Sequence, residues 1–264
     1  MPEGHTLHRL AGIHQRAFAD APVLVSSPQG RFSAGARLVD GRVFEHAEAW
    51  GKNLVHFYDG DLMVHIHLGI YGTFAEQPVP MAQPVGQVRM RMIGERVGTD
   101  LVGPIRCDVI GEAELFALQA RLGPDPLRAD ADPERAWARI SKSRTAIGTL
   151  LMDQKVIAGV GNIYRAEVLF RHHVHPLRAG KDLRRDEWDA IWADLVELMR
   201  IGVEEGGIVV VRPQDDYGDP AYAKGKPRTY VYRRAGSPCR LCGATVLHSV
   251  LQARNLFWCP TCQP

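Results

Sequence analysis

Two short stretches near opposite ends of this chain carry residue types suited to chemistry. The first is Met1-Pro2-Glu3. If Met1 is removed, Pro2 becomes the N-terminus and exposes a secondary amine. Such an amine can attack an electrophilic sugar carbon and pass to an iminium, joining cleavage and capture in one covalent step. Glu3, beside it, can move protons on the same sugar. The same residues also suit an ordinary second position and an ordinary helix-start acid, so the opening alone leaves both readings standing. The second stretch holds Cys239, Cys242, Cys259 and Cys262, spaced C-x2-C-x16-C-x2-C. Two thiolates from each of two tight knuckles complete a closed tetrahedral site, the arrangement of structural zinc. Such a site gives a fixed shape to a segment too short for its own core. A fifth cysteine, Cys107, lies outside the set and reads as a small buried hydrophobe.

The elements that must position these groups follow from periodicity. Leu7, Leu10, Ala11, His14 and Phe18 share one helical face, which predicts an amphipathic helix over 3–18 with its positive end beside Pro2. That end helps keep the amine neutral. From about 23 to 110 the pattern changes to short β-type runs broken by Gly and Pro, with a hairpin at Asp59-Gly60 between NLVHFY and LMVHIHL. Alternation puts Met63, His65 and His67 on one face, and with no third ligand nearby the two histidines read as structural. Lys52 sits where WGKNLVHF enters a strand, and it reads as solvated or as a phosphate contact. In HLGIYG the glycines allow a protruding loop tipped by Ile70 and Tyr71; the other reading is a turn with both residues packed inward. GPDPLRADADPE reads as a linker, and helical patterns dominate after it. KVIAGVGN interrupts two helical runs with glycines, and a glycine turn entering a helix offers backbone N–H groups to an anion, with Asn162 adding a side-chain amide. RHHVHP at 171–176 is a weaker metal tract than the cysteines. Trp188, Ile191, Trp192, Leu195, Leu198 and Met199 form the stripe of a core helix. VVVRPQDDYGDPAYAKGKPR lacks periodicity and reads as a mobile loop. ATVLHSVLQARNLFWC reads as a β-hairpin with Arg254 at or just past its tip.

At 264 residues, 45% hydrophobic and 23% charged, the chain has the make-up of a globular protein with room for two domains. No apolar run approaches a membrane span, and the start has no basic and apolar regions of a signal peptide, so a cytoplasmic protein is expected. The net charge of +2 hides an asymmetry. From Lys224 onward there are seven basic residues and no Asp or Glu, leaving 25 basic against 30 acidic residues before that point. A basic, cysteine-bearing end on an acidic body suggests a polyanion contact made by that end. A solvated tail, or a zinc ribbon that docks proteins, would share part of this pattern.

Taken in order, MPEG, Gly51-Lys52, HLGIYG, GVGNIY and VYRRAGSPC through RNLFWCPTCQ resemble the Fpg/Nei family of bifunctional DNA glycosylases/AP lyases across nearly the whole chain. MPEG and Arg165 after GNIY resemble the endonuclease VIII (Nei) branch. The resemblance implies an α+β protein: an N-terminal helix with an antiparallel β-sandwich over 1–124, a linker over 125–134, a helical helix-two-turn-helix domain over 135–235 and a β-hairpin zinc finger over 236–264. It implies Pro2 as nucleophile with Glu3 and Lys52 assisting, Asn162 and Arg254 on DNA phosphates, Ile70 and Tyr71 as a wedge, the long loop near the extruded base, and one structural zinc. The expected partner is duplex DNA carrying oxidised bases, above all pyrimidines, or abasic sites. The expected enzyme is a monomer that excises through a Schiff base and nicks by β/δ-elimination. Three positions depart from the branch: Thr6 stands for a second glutamate, Gly69 for a polar wedge residue, and Leu256 for Ser or Thr. The rival from another class is a zinc-finger protein that binds abasic or damaged DNA without catalysis.

Overall fold

The computed structural model describes residues 2–216 and 228–264. Met1, most of the stretch expected to be a mobile loop, and Lys224 and Lys226 lie outside them. The chain divides into two compact units, Met1–Arg121 and Leu122–Pro264. Among the described residues no helix is long and apolar enough to cross a membrane.

In the first unit, α1 spans Gly4–Phe18 and buries Leu7, Ala11, His14 and Phe18, the predicted face. Strands β1 (Ala21–Pro22), β3 (Val43–Trp50), β4 (Asn53–Tyr58), β5 (Leu62–His67) and β9 (Arg106–Ile110) form one antiparallel sheet in the order β1-β3-β4-β5-β9. Strands β2 (Leu24–Ser26), β6 (Thr73–Pro78), β7 (Val88–Ile93) and β8 (Val97–Val102) form a second, ordered β2-β7-β8-β6. Side chains of both sheets share one core, including Leu54, Val64 and Ile66 from the first and Val25, Met90, Met92 and Leu101 from the second. This is the sandwich that the resemblance implied. The Asp59-Gly60 hairpin has a three-residue loop, because Tyr58 pairs with Leu62 and both Gly60 and Asp61 take positive φ.

Two helices interrupt the β pattern. The first, α2, covers Ser33–Val39 within the stretch read as strands. It is held by packing: a Cβ on Gly35 would lie 2.2 Å from the Phe32 ring, so only glycine lets that buried ring close against the helix. Seven residues are too few for periodicity to reveal. The second, α3 (Glu112–Arg121), closes the unit.

The second unit contains α4 (Pro133–Ile140), α5 (Ile147–Leu150), α6 (Asn162–Arg171) and α7 (Arg185–Glu205). Asp132 caps α4 by accepting the Glu134 N–H, with Pro133 in the first turn. Much of the segment read as a linker is bonded into this unit: Gly123 N–H reaches Gln154 O and Ala158 N–H reaches Pro124 O, each at 2.9 Å, and Asp125 is buried. The α7 stripe of Trp188, Ile191, Leu195, Leu198 and Met199 is buried as expected. Strands β10 (Leu247–Leu251) and β11 (Arg254–Trp258) form the terminal hairpin. Gln252 and Ala253 at its tip both take positive φ, the requirement of a tight two-residue turn.

Candidate active site and nucleic-acid interface

The catalytic candidates belong to the first unit. Glu3 is fully buried at the N-cap of α1, with Pro2 half-buried before it. Lys52 lies in the two-residue turn between Trp50 and Asn53, where Gly51 supplies φ +60°. Asp20 N–H bonds Phe44 O at 2.8 Å and Ala47 N–H bonds Gln15 Oε1 at 3.0 Å, so α1 runs against β3. Gln15 back to Gly4 and Ala47 on to Trp50 run in the same direction, so the N-terminal end of α1 lies towards the turn that carries Lys52.

His67 joins this corner. Its pKa is lowered by burial and then by the positive charge of Lys52. Its Nδ1 accepts the Gly69 N–H at 3.0 Å, so the ring also fixes the base of the next loop. His65, its strand neighbour, bonds Asn53 Oδ1 at 2.9 Å, and Asn53 in turn donates to Trp50 O. Both histidines therefore serve the local fold, as their lack of a third metal ligand suggested.

The loop after β5 protrudes. Ile70 is 56% and Tyr71 86% exposed, between Gly69 at φ +67° and Gly72, whose N–H closes the loop on Leu68 O. The inward-packed reading fails here, since neither side chain is covered. Thr6 lies in the first turn of α1, its hydroxyl 3.3 Å from His5 Nε2, and burial pushes His5 down to about 4.

In the second unit, Asn162 opens α6 after the glycine turn. Its Nδ2 donates to Asn255 O at 3.1 Å, while its Oδ1 accepts from the buried Arg165 guanidinium. Arg165 Nη2 also donates to Asn255 O at 2.7 Å. Asn162 is itself buried, and its amide is fixed on both sides by these contacts. Arg254, next to Asn255, is exposed and is the first residue past the hairpin tip. Arg165 thus holds the amide and the arginine-bearing strand in one register, a role with no local sequence signal beyond its place after GNIY. Leu256 is buried, which suits an apolar residue there.

Glu167 was also invisible in the sequence. It is fully buried, and its two oxygens accept the N–H groups of Tyr230, Val231 and Tyr232 at 2.6, 3.0 and 2.8 Å. Burial pushes its carboxyl up against the opposing pull of these three donors. The contacts require an acceptor at both oxygens, which the carboxylate supplies.

The four cysteines come together. Their sulfurs lie within 4.8 Å of one another, with Cys239 to Cys262 at 3.8 Å and Cys242 to Cys259 at 3.5 Å. Thiolates bound tetrahedrally at about 2.3 Å would sit about 3.8 Å apart, so the cluster fits a metal ion. Gly243 at φ +75° turns one knuckle, with its N–H on Cys239 O. Gln263 braces the other: its side chain accepts the Cys259 N–H and donates to Val174 O. The histidines of 171–176 do other work. His172 bonds Asp194, His173 meets Cys262 O, and His175 accepts the Leu177 N–H. Cys107 is buried, which pushes its thiol up to about 12.

The protein thus combines a helix-capped antiparallel sandwich with an acid at the helix mouth and a helical unit that ends in a four-thiol hairpin. Residues 122–213 match the formamidopyrimidine-DNA glycosylase H2TH domain. Endonuclease 8 1 of Mycobacterium tuberculosis is 58% identical over 267 residues, covering 100% of both chains. Among solved structures, MutM (Fpg) of Thermus thermophilus superimposes with a TM-score of 0.79 at 27% identity, over 99% of this chain and 98% of that one. The Lactococcus lactis Fpg bound to DNA with an abasic site gives 0.81 at 18% identity, over 99% of each chain, a likeness of fold. The chain belongs to the Fpg/Nei family of DNA glycosylases/AP lyases, in its Nei branch.

Proposed function

We propose that this protein is a base-excision-repair glycosylase and AP lyase that removes oxidised pyrimidines from duplex DNA. With Met1 removed, the Pro2 nitrogen attacks the sugar C1′. The C1′–N bond to the base breaks, and the base leaves with that electron pair and a proton. The Pro2 nitrogen loses its own proton, and its lone pair then opens the sugar ring: the C1′–O4′ bond breaks, O4′ leaves with that electron pair and takes up a proton, and an iminium remains. Glu3 relays protons between these atoms. The iminium acidifies the neighbouring sugar C–H, and its loss expels the 3′ phosphate. A second elimination expels the 5′ phosphate. Water then releases the enzyme.

Lys52, Asn162 and Arg254 hold phosphates, and Ile70 with Tyr71 fills the gap left by the extruded nucleotide. Cys239, Cys242, Cys259 and Cys262 would hold one zinc, which shapes the finger and supplies no chemistry to the reaction. The first unit carries the chemistry and the second grips DNA.

The observation that carries this reading is Glu3, fully buried at the mouth of α1 beside Pro2. It places a carboxyl, withdrawn from bulk water, in the residue that follows the proposed amine, where the reaction needs a proton-transfer group. The test is reduction with borohydride in the presence of abasic duplex. An enzyme of this kind becomes covalently joined to DNA, whereas a binder without catalysis has no iminium to reduce and stays free. The pyrimidine assignment is tested by rates on single-lesion duplexes; faster excision of oxidised purines would overturn it.

A further inference from the structure

The turn that leads into the four-cysteine hairpin displays an arginine on a backbone that does not suit one. Glu167 fixes the chain up to this point by accepting the N–H groups of Tyr230, Val231 and Tyr232. Arg234 N–H then closes a four-residue turn on Val231 O at 3.0 Å, which leaves Tyr232 and Arg233 at its centre. Arg233 takes φ +57°, the left-handed region that favours glycine. Its basic neighbours are committed inside the fold. Arg234 donates to Tyr230 O and Pro238 O at 2.7 and 2.9 Å, and Arg240 Nε donates to Thr229 O at 3.0 Å. Arg233 is exposed, and among the described residues no carboxylate pairs with it. Its guanidinium carbon stands over the Tyr232 ring, 5.5 Å from the ring centre. Tyr232 is buried and meets Phe257 edge-on, with 5.4 Å between ring centres, and Phe257 belongs to β11, the strand that carries Arg254.

An exposed arginine in a turn is ordinarily just solvated. Two observations set this one apart. Glycine would meet the turn geometry at less cost, so the arginine stands against a backbone preference. Its charge is also held on an aromatic platform braced by buried Glu167 and by β11, which limits the rotamer freedom that binding would have to remove. We propose that Arg233 is a further DNA-backbone contact, presenting its guanidinium to a phosphodiester of the bound duplex in addition to those held by Asn162 and Arg254. This inference rests on the reading of the second unit as the part that grips DNA. A guanidinium stacked on tyrosine keeps its edge N–H groups directed outward, where they can fork onto two phosphate oxygens. Such a contact carries charge and no base identity.

The test uses the full chain and a duplex containing an uncleavable abasic analogue, with Arg233→Gly, Arg233→Lys and Arg254→Ala as variants. Affinity is titrated across salt concentration, and urea unfolding reports stability. One phosphate contact contributes about 0.9 to the salt slope, which amounts to about eightfold in affinity at ~0.1 M salt. Arg233→Gly is therefore expected to bind about eightfold more weakly, with the slope reduced by about one. Its urea midpoint should stay at or above that of the wild type, because glycine suits the left-handed backbone. Arg233→Lys keeps the charge and should retain the wild-type slope. If Arg254→Ala weakens binding and lowers the slope while Arg233→Gly matches the wild type, the inference is overturned and the reading of the second unit survives. If neither variant changes affinity or slope, that reading falls and the inference falls with it. Weaker binding by Arg233→Gly together with a lowered urea midpoint would overturn it by assigning Arg233 to the fold.

Discussion

Acidification should destabilise the first unit before carboxylates titrate. His14 Nδ1 and His56 Nε2 lie 2.9 Å apart, both rings fully buried, inside a cage of Phe18, Phe44, Phe74 and Tyr58. Burial pushes His14 down to about 3, and burial together with the charge of His14 pushes His56 well below its ordinary value. Burial also lowers His65 to about 3 and His5 to about 4. Each folded value is depressed, so below the ordinary value of about 6.5 the unfolded chain binds more protons than the folded one. Stability is therefore intact above pH ~6.5 and is lost as pH falls towards the folded values, where the dependence ends. At pH ~5.5 each such group has removed about 1.4 kcal/mol, or about 4 kcal/mol for His5, His14 and His65 together, out of a typical 5–15 kcal/mol. The assay is urea unfolding of the full chain at pH ~7.5 and ~5.5, followed by hydrogen exchange in peptides from β4 and β5. His14→Phe should make the difference between the two pH values shallower by about 1.4 kcal/mol, one group's worth. Equal stability of these strands at both pH values would refute the reasoning, because buried neutral histidines cannot leave acid stability unchanged.

Other outcomes follow from the site. Purified protein should contain about one equivalent of zinc, and Cys239→Ser should lose the metal and DNA binding while the first unit stays folded, as read by metal analysis and hydrogen exchange. Arg254→Ala should weaken binding to every lesion alike and lower the salt slope by about one, checked by titrations across salt concentration. Glu3→Gln should keep DNA affinity and lose base excision, since it removes the proton-transfer group and little else, as read by binding and single-turnover cleavage.

How much of this could be read from sequence depended on the range of the contacts involved. The cysteine pairs are separated by two residues, so their knuckles show as spacing, and α1 is long enough for its buried stripe to show as period. Arg254 fell just past the hairpin tip because LQARNL brackets a two-residue turn. The partners of Asn162 are different: Asn255 lies 93 residues away, and nothing local marks Arg165 as the side chain that joins them. Glu167 reads as an ordinary helix residue until the chain returns 63 to 65 residues later with three N–H groups. His14 and His56 likewise meet across 42 residues, and alternation cannot predict a pair held between a helix and a strand. Short α2 was hidden because its helix depends on Phe32 closing over Gly35 rather than on propensity. Acidic and proline residues at 125–134 suggested a tether, yet composition could not show that the residues around its start are hydrogen-bonded to the 154–158 turn.

The central claim is that the Pro2 amine is the nucleophile. A retained Met1 would make that nitrogen a tertiary amide, with its lone pair delocalised and no route to an iminium. The direct measurement is intact mass of the active protein, followed by borohydride trapping on abasic duplex and peptide mapping of the adduct. The account predicts a chain beginning at Pro2 and a single adduct on its N-terminal peptide. Fully active, trappable protein that keeps Met1 on every molecule, or an adduct on the peptide containing Lys52, would contradict it.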